Sequence, residues 1–256
     1  MRFPLSYKES ILTVVCDDGL RDAAFDALIE ARYSVESKIG EDPFFGITYD
    51  PYEASPSDDP LVRRMCDASR IAGVGPMAGV AGAVALHIAE RLVSEGSSHA
   101  IVENGGDIAF YSPEPRLVGI FADHPVFRNL AFSMSSDRIV GVCSSSRTVG
   151  PSVSLGASSI STVISDDVVL ADCCATALGN LVKDEGSLGD AVRDMGSRPG
   201  VTGCLACCGD KVAMFGVLPD IVPGDCSGFE PYRSHHRRIR RTAHVAMNPK
   251  TAPPTS

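Results

Sequence analysis

Apolar positions recur along this chain in two spacings. Ala23, Ala24, Ala27, Leu28, Ala31 and Val35 fall three and four apart within Asp18–Lys38, the spacing of one helix face, and Gly40 supplies a stop. Similar patterns predict helices over Pro60–Ala72, about Pro76–Ser94, Asp167–Lys183 and Ser187–Met195. Between them lie short apolar runs separated by turn residues: Ile11–Val15, Ala100–Tyr111, Leu117–Phe121, Leu130–Met134, Arg138–Cys143 and Ile160–Ile164. Val201–Cys208 and Lys211–Val217 meet at Gly209-Asp210, a strong two-residue hairpin signal. Asp42–Asp59, with three Pro, reads as a loop. Consecutive strands joined by tight turns, with helices grouped outside them, predict an α+β fold with a largely antiparallel sheet.

No linker or repeat interrupts the body, so residues 1–228 read as a single domain and 229–256 as a basic, unstructured tail. Charge sets the two apart. The chain carries a net charge of −9, but residues 231–256 hold six Lys/Arg and no acid, leaving −15 on residues 1–230. An acidic body repels nucleic acid and attracts cations; only the run Arg237-Arg238-Ile239-Arg240-Arg241 suits a polyanion. The most apolar uncharged run, Ile71–Leu86, has 16 residues, short of the roughly 20 a spanning helix needs. The start, Met1-Arg2-Phe3-Pro4, has no apolar signal region, so the expectation is a cytoplasmic protein without a membrane anchor. Homo-oligomerisation is left open.

Four stretches carry candidate chemistry. Gly73-Val74-Gly75-Pro76-Met77-Ala78 has the letters of a dinucleotide fingerprint, but a predicted helix precedes it where the fingerprint needs a strand. What survives is a Gly75-Pro76 helix start that frees N–H donors for an anion, followed by a small-residue face, Ala78, Gly79, Gly82 and Ala83. Asn104-Gly105-Gly106-Asp107 interrupts an apolar strand, as a hairpin, a bulge or a close ligand approach would. Asp172 and Thr176 are four apart and share one helix face, a hard oxygen pair suited to Mg²⁺. An ordinary alternative is a first-turn Asp complementing its own helix dipole. Gly141–Gly150 ends in a hydroxyl-rich turn, Ser144-Ser145-Ser146, that can donate to anions.

Nine Cys and no signal sequence point to thiols rather than disulfides. Cys204 and Cys207 form a CxxC, yet on a strand they face opposite ways and cannot share a metal. Small buried hydrophobes are the favoured reading, with a cysteine-dependent sulfur or redox accessory as an alternative. No G-x-S-x-G occurs, and His87 reads as packed on its helix.

In order and spacing these stretches resemble the ApbE superfamily, most of all its short, uncharacterised cytoplasmic branch. The match spans roughly Ser6–Gly216, and Asn104–Asp107 with Ala171–Leu178 carry most of its specificity. The resemblance implies FAD or FMN and Mg²⁺ as cofactors and an ApbE-like fold. It also implies a Mg²⁺-dependent activity that attaches FMN to a Ser or Thr of an acceptor protein. It implies Asp172 and Thr176 as metal ligands, and Asn104, Gly105, Gly106, Asp107, Ser144, Ser145 and Gly75 at the flavin nucleotide. One departure stands out. ApbE transferases carry a His after the hydroxyl-rich turn, whereas Gly150-Pro151-Ser152-Val153 has none. A flavin- or nucleotide-binding protein without transfer activity is therefore the alternative.

Overall fold

The computed structural model of the chain describes residues 1–120, 127, 129–145, 156–224 and 245–246. Ten strands form one sheet in which every pairing among these residues is antiparallel. Eight run in chain order across it: β1 Arg2–Tyr7, β2 Ser10–Cys16, β3 Ala100–Asn104, β4 Asp107–Gly119, β5 Leu130–Ser145, β6 Ile160–Ser165, β7 Val201–Cys208 and β8 Lys211–Gly216. Helices α1 (Arg21–Glu41), α2 (Pro60–Ala72), α3 (Val80–Ser94), α4 (Val168–Leu181) and α5 (Leu188–Gly196) complete the α+β architecture.

Local chemistry sets the helix ends that matter later. Asp59 caps α2 by accepting from Leu61 N–H at 2.8 Å, Pro60 takes the first turn, and Gly73 closes it in the left-handed region at φ 68°. A helix therefore does feed Gly73–Ala78, which disposes of the dinucleotide fingerprint. Asp167 caps α4 through Val169 and Leu170 N–H at 2.9 and 3.2 Å.

Two hydrophobic cores result. One lies between the sheet and the helices, with Leu28, Met65, Ile88, Leu92, Leu178 and Met195 fully buried. The second lies on the other sheet face, where Ile101, Phe110, Val142, Ile164 and Leu205 pack with Val118, Ile120, Phe127, Phe132 and Met134.

Three expectations are corrected here. Ala100–Tyr111 is two strands, β3 and β4: of the readings offered for Asn104–Asp107 the hairpin holds, with its turn at Gly105-Gly106. Conversely, β4 and β5 run straight through segments whose Ser, Pro and Asp residues read as turns. The ladder absorbs Pro113 and Pro115, which cannot donate, as a register shift between Ser112 and Arg116. Strand β1 was not expected although it alternates, with Phe3 and Leu5 buried and Arg2, Pro4 and Ser6 exposed, because a Pro within a run reads against a strand. Strand β9 (Asp220–Pro223) is too short to read.

Within the segment read as a tail, β10 (Val245–Ala246) pairs with Val118 and Leu117 of β4. Its basic run lies outside the described residues. Truncation after Gly228 is therefore expected to lower stability by less than about 2 kcal/mol, the worth of one or two net hydrogen bonds. Thermal melting of the truncated chain checks this; a larger loss would mean that the tail contributes packing as well as pairing.

Candidate functional site

The site forms where the β3–β4 turn meets the crossing of α3 over α4. Gly105 and Gly106 close a two-residue hairpin with φ of +69° and +114°, a conformation that side chains resist. The turn sets Asn104 and Asp107 opposite each other in register. Asn104 Nδ2 donates to the Ala81 carbonyl at 3.1 Å, tying the hairpin to the first turn of α3. Asp107 opens β4 beside Cys143 of β5 and accepts from the Ser144 N–H.

Asp172 arrives from the other side. It lies in the second turn of α4, not the first, because Asp167 is the N-cap. The alternative of a first-turn acid serving its own helix dipole therefore does not hold. Instead Asp172 Oδ2 accepts from Gly82 N–H at 2.8 Å, and the carboxylate also takes the Ala81 N–H, so it caps α3 from a neighbouring helix. The approach requires glycine: a methyl on Gly82 would lie 2.9 Å from both Asp172 Cβ and the Val168 carbonyl oxygen. At Gly79 a methyl would lie 2.7 Å from Cys173 Sγ. The small-residue face expected from sequence is thus the contact surface between α3 and α4.

The Asp107 and Asp172 carboxyls hydrogen-bond to each other. Asp172 is 6% exposed. Burial, followed for Asp172 by the charge of Asp107, raises both carboxyls well above the ordinary carboxylate range. Two ionised carboxylates at this separation repel strongly, so the pair holds a shared proton or a cation. Thr176 follows one turn later on α4 and is half-buried. Among the described residues no three or more His, Cys, Asp and Glu side chains cluster to make a metal cage. Two carboxylates and a hydroxyl, with remaining positions left to water and phosphate, match what Mg²⁺ takes.

The other expected residues divide. Ser144 and Ser145 stand at the end of β5, next to the turn, with Ser144 N–H 3.2 Å from the Gly106 carbonyl. Gly75 is buried, and a methyl there would overlap the Thr48 carbonyl, so its lack of a side chain serves chain packing. Of the donors its helix start was expected to free, Ala78 N–H returns to the Gly75 carbonyl, while at the start of α3 those of Ala81 and Gly82 go to Asp172. Sequence reasoning missed the direct Asp107–Asp172 contact and the role of Ala81 and Gly82 as its donors. The Gly79/Gly82 spacing was the only visible trace.

The cysteines offer no nucleophile here, although the Cys143 thiol hydrogen-bonds to Asp107. All eight described ones are free and buried, and Cys204 and Cys207 fall in different cores, as alternation requires. Burial raises the Cys143 and Cys173 thiols well above their usual range, and the nearby carboxylates add to it. Burial also pushes Cys174 and Cys207 up to about 12. Thiols held protonated are poor nucleophiles.

A model of the family described as AbpE bacteria matches residues 1–212. The chain belongs to that family. As an AbpE-type chain it is 46% identical over 217 residues to a UPF0280 protein of Methanocella arvoryzae, covering 84% of this chain and 88% of the relative. A UPF0280 protein of Archaeoglobus fulgidus is 38% identical over 225 residues, covering 86% and 94%. Among solved structures, the Pseudomonas stutzeri flavinyl transferase ApbE in its apo form superposes with a TM-score of 0.55 at 16% identity, covering 84% and 93%. The ApbE protein of Thermotoga maritima gives 0.55 at 12% identity, covering 88% and 97%. At such identities the likeness establishes a shared ApbE fold.

Proposed function

We propose that this AbpE-type chain binds a flavin nucleotide, FAD or FMN, through Mg²⁺ held by Asp172 and Thr176, and transfers FMN to a Ser or Thr of an acceptor protein. Asp107 is reassigned in this reading. Resemblance put it at the nucleotide, whereas its contact with Asp172 favours a place at the metal. The observation that carries the proposal is that carboxyl pair, with Asp172 buried and Asp107 half-buried, which needs a cation once its proton leaves. With FAD as the donor, the acceptor hydroxyl oxygen would bond to the FMN phosphorus, the pyrophosphate bond to the AMP half would break and AMP would leave. In that step a bound ion would supply charge neutralisation. The chain's own part is to fix the two carboxylates, through Ala81, Gly82 and Ser144 N–H, and to keep the Asn104 hairpin against α3.

Mg²⁺ and FAD binding should then be strongly coupled. FAD titrated with and without Mg²⁺ is expected to differ at least tenfold in affinity, about 1.4 kcal/mol of coupling; equal affinities would sink the proposal. Incubation with FAD, Mg²⁺ and candidate acceptors, read by mass spectrometry, tests transfer itself.

A second reading, nucleotide binding without transfer, is favoured by one observation: residues 150–153 lack the His that ApbE transferases carry. Those residues lie outside the described ones. The cysteine-dependent reading loses ground, since none of the described thiols is exposed.

A further inference from the structure

Ser144 and Ser145 are neighbours in β5, yet the pleat sends them to opposite faces. Ser144 Oγ lies 2.9 Å from Thr162 Oγ1 on β6, a cross-strand hydroxyl pair. Ser145 follows Cys143 by two residues. Cys143 Sγ points to the Val168 carbonyl of α4, and Cys143 is the register partner of Asp107. Ser145 therefore shares the helix-side face with Asp107, about 7 Å further along the strand. It is 8% exposed, and its hydroxyl has no hydrogen-bond partner among the described residues. Its opposite neighbour, Ser161, donates to Ser158 Oγ at 2.7 Å and lies out of hydrogen-bond reach of Ser145 Oγ.

A buried hydroxyl without a partner costs about 1–3 kcal/mol, and folded proteins leave few of them. One that persists beside a candidate site is a donor waiting for an acceptor. The nearby carboxylates are turned toward each other, toward backbone N–H groups and, for Asp107, toward the Cys143 thiol. The acceptor that a Mg²⁺ bridge would bring to this face is a phosphoryl oxygen.

We infer that the Ser145 hydroxyl is a phosphate contact of the bound nucleotide, donating to a non-bridging phosphoryl oxygen, while Ser144 belongs to the sheet. This rests on the nucleotide-binding reading above and narrows it to the ligand's phosphate.

The test uses the full chain and its Ser145→Ala, Ser144→Ala and Asp172→Asn variants. Each is titrated in Mg²⁺ with FMN and with riboflavin, the same ring and ribityl chain without phosphate, and each is melted without ligand. Ser145→Ala should bind FMN about tenfold more weakly, the worth of one hydrogen bond to a charged group, with riboflavin affinity unchanged. It should also melt no lower than the parent, because it removes an unpaired buried donor. Ser144→Ala keeps the backbone N–H and should melt lower through the lost Thr162 bond. Ser145→Ala binding FMN like the parent, or losing FMN and riboflavin equally, overturns the inference. If Asp172→Asn loses FMN while Ser145→Ala keeps it, the inference alone fails and the metal-site reading stands. A parent that binds neither ligand overturns both.

Discussion

Replacing Asp172 by Asn is expected to lower Mg²⁺-dependent FAD affinity at least a hundredfold and, in the same protein, to raise the metal-free melting temperature near pH 8. The two effects share one cause. Asn keeps the size of Asp and still presents an oxygen to Gly82 N–H, so the cap on α3 survives. It removes the charge that holds the ion, and its amide hydrogens donate to Asp107 as the protonated acid does. An acid whose folded-state pKa is raised lends its stability below the unfolded value, near 4, and withdraws it as pH rises through the folded one. For Asp107 burial sets that upper bound at about 7. The metal-free parent should therefore lose stability from about pH 4 to above neutrality, and Asp172→Asn should flatten the decline. Each kcal/mol recovered corresponds to about 2–4 °C in a chain this long. Melting curves across that range, with Mg²⁺–FAD titrations, check both halves. A variant that binds like its parent and melts earlier would make Asp172 a helix cap and nothing more.

Lys38→Met should cost about 3 kcal/mol without touching the carboxyl pair, which makes it the matching control. Lys38 Nζ sits 2.8 Å from Asp58 Oδ1, with side chains 10% and 6% exposed, and 5.4 Å from the Tyr52 ring centroid. Tyr52 in turn donates to Asp42 at 2.6 Å. These contacts pin the Asp42–Asp59 segment between α1 and α2. Burial opposes the charge on Asp58, yet the Lys38 ammonium and the Ser55 N–H hold its carboxyl below the ordinary range. Taking away one partner strands the other as a buried charge, a loss of roughly 3–5 kcal/mol, whereas removing both is often near neutral. Denaturant unfolding should show Lys38→Met/Asp58→Leu more stable than Lys38→Met alone. Equal stabilities would mean that the pair is solvated and weak.

How far the sequence carried this reading depends on the range of each signal. Helices were legible because their spacing and caps are local: Asp59, Pro60 and Gly73 bound α2 at the expected residues, whereas α1 runs through the expected stop at Gly40 to Glu41. The Asn104–Asp107 and Asp172–Thr176 stretches were legible as letters with a known resemblance. The contact between Asp107 and Asp172 was not, since 65 residues separate them and no local pattern encodes which strand lies beneath which helix. Ser144 and Ser145 looked alike in sequence and differ only by the strand's pleat. Long strands were misread where polar residues mark a register shift rather than a turn, as at Ser112–Arg116. At Gly75 a Gly-Pro helix start looks the same in sequence whether its donors are free or, like that of Ala78, already used.

The thiol packed against Gly79 is a built-in clock for motion at the crossing of α3 and α4. Cys173 has no solvent exposure and is held protonated, so an alkylating reagent meets it only when that crossing opens. Its labelling rate then reports the opening equilibrium of the elements that frame the carboxyl pair, much as hydrogen exchange reports on backbone amides. A ligand that clamps Asp172 would slow Cys173 modification by the factor through which it stabilises the closed state, read by peptide mass without a reporter dye or any catalytic assay.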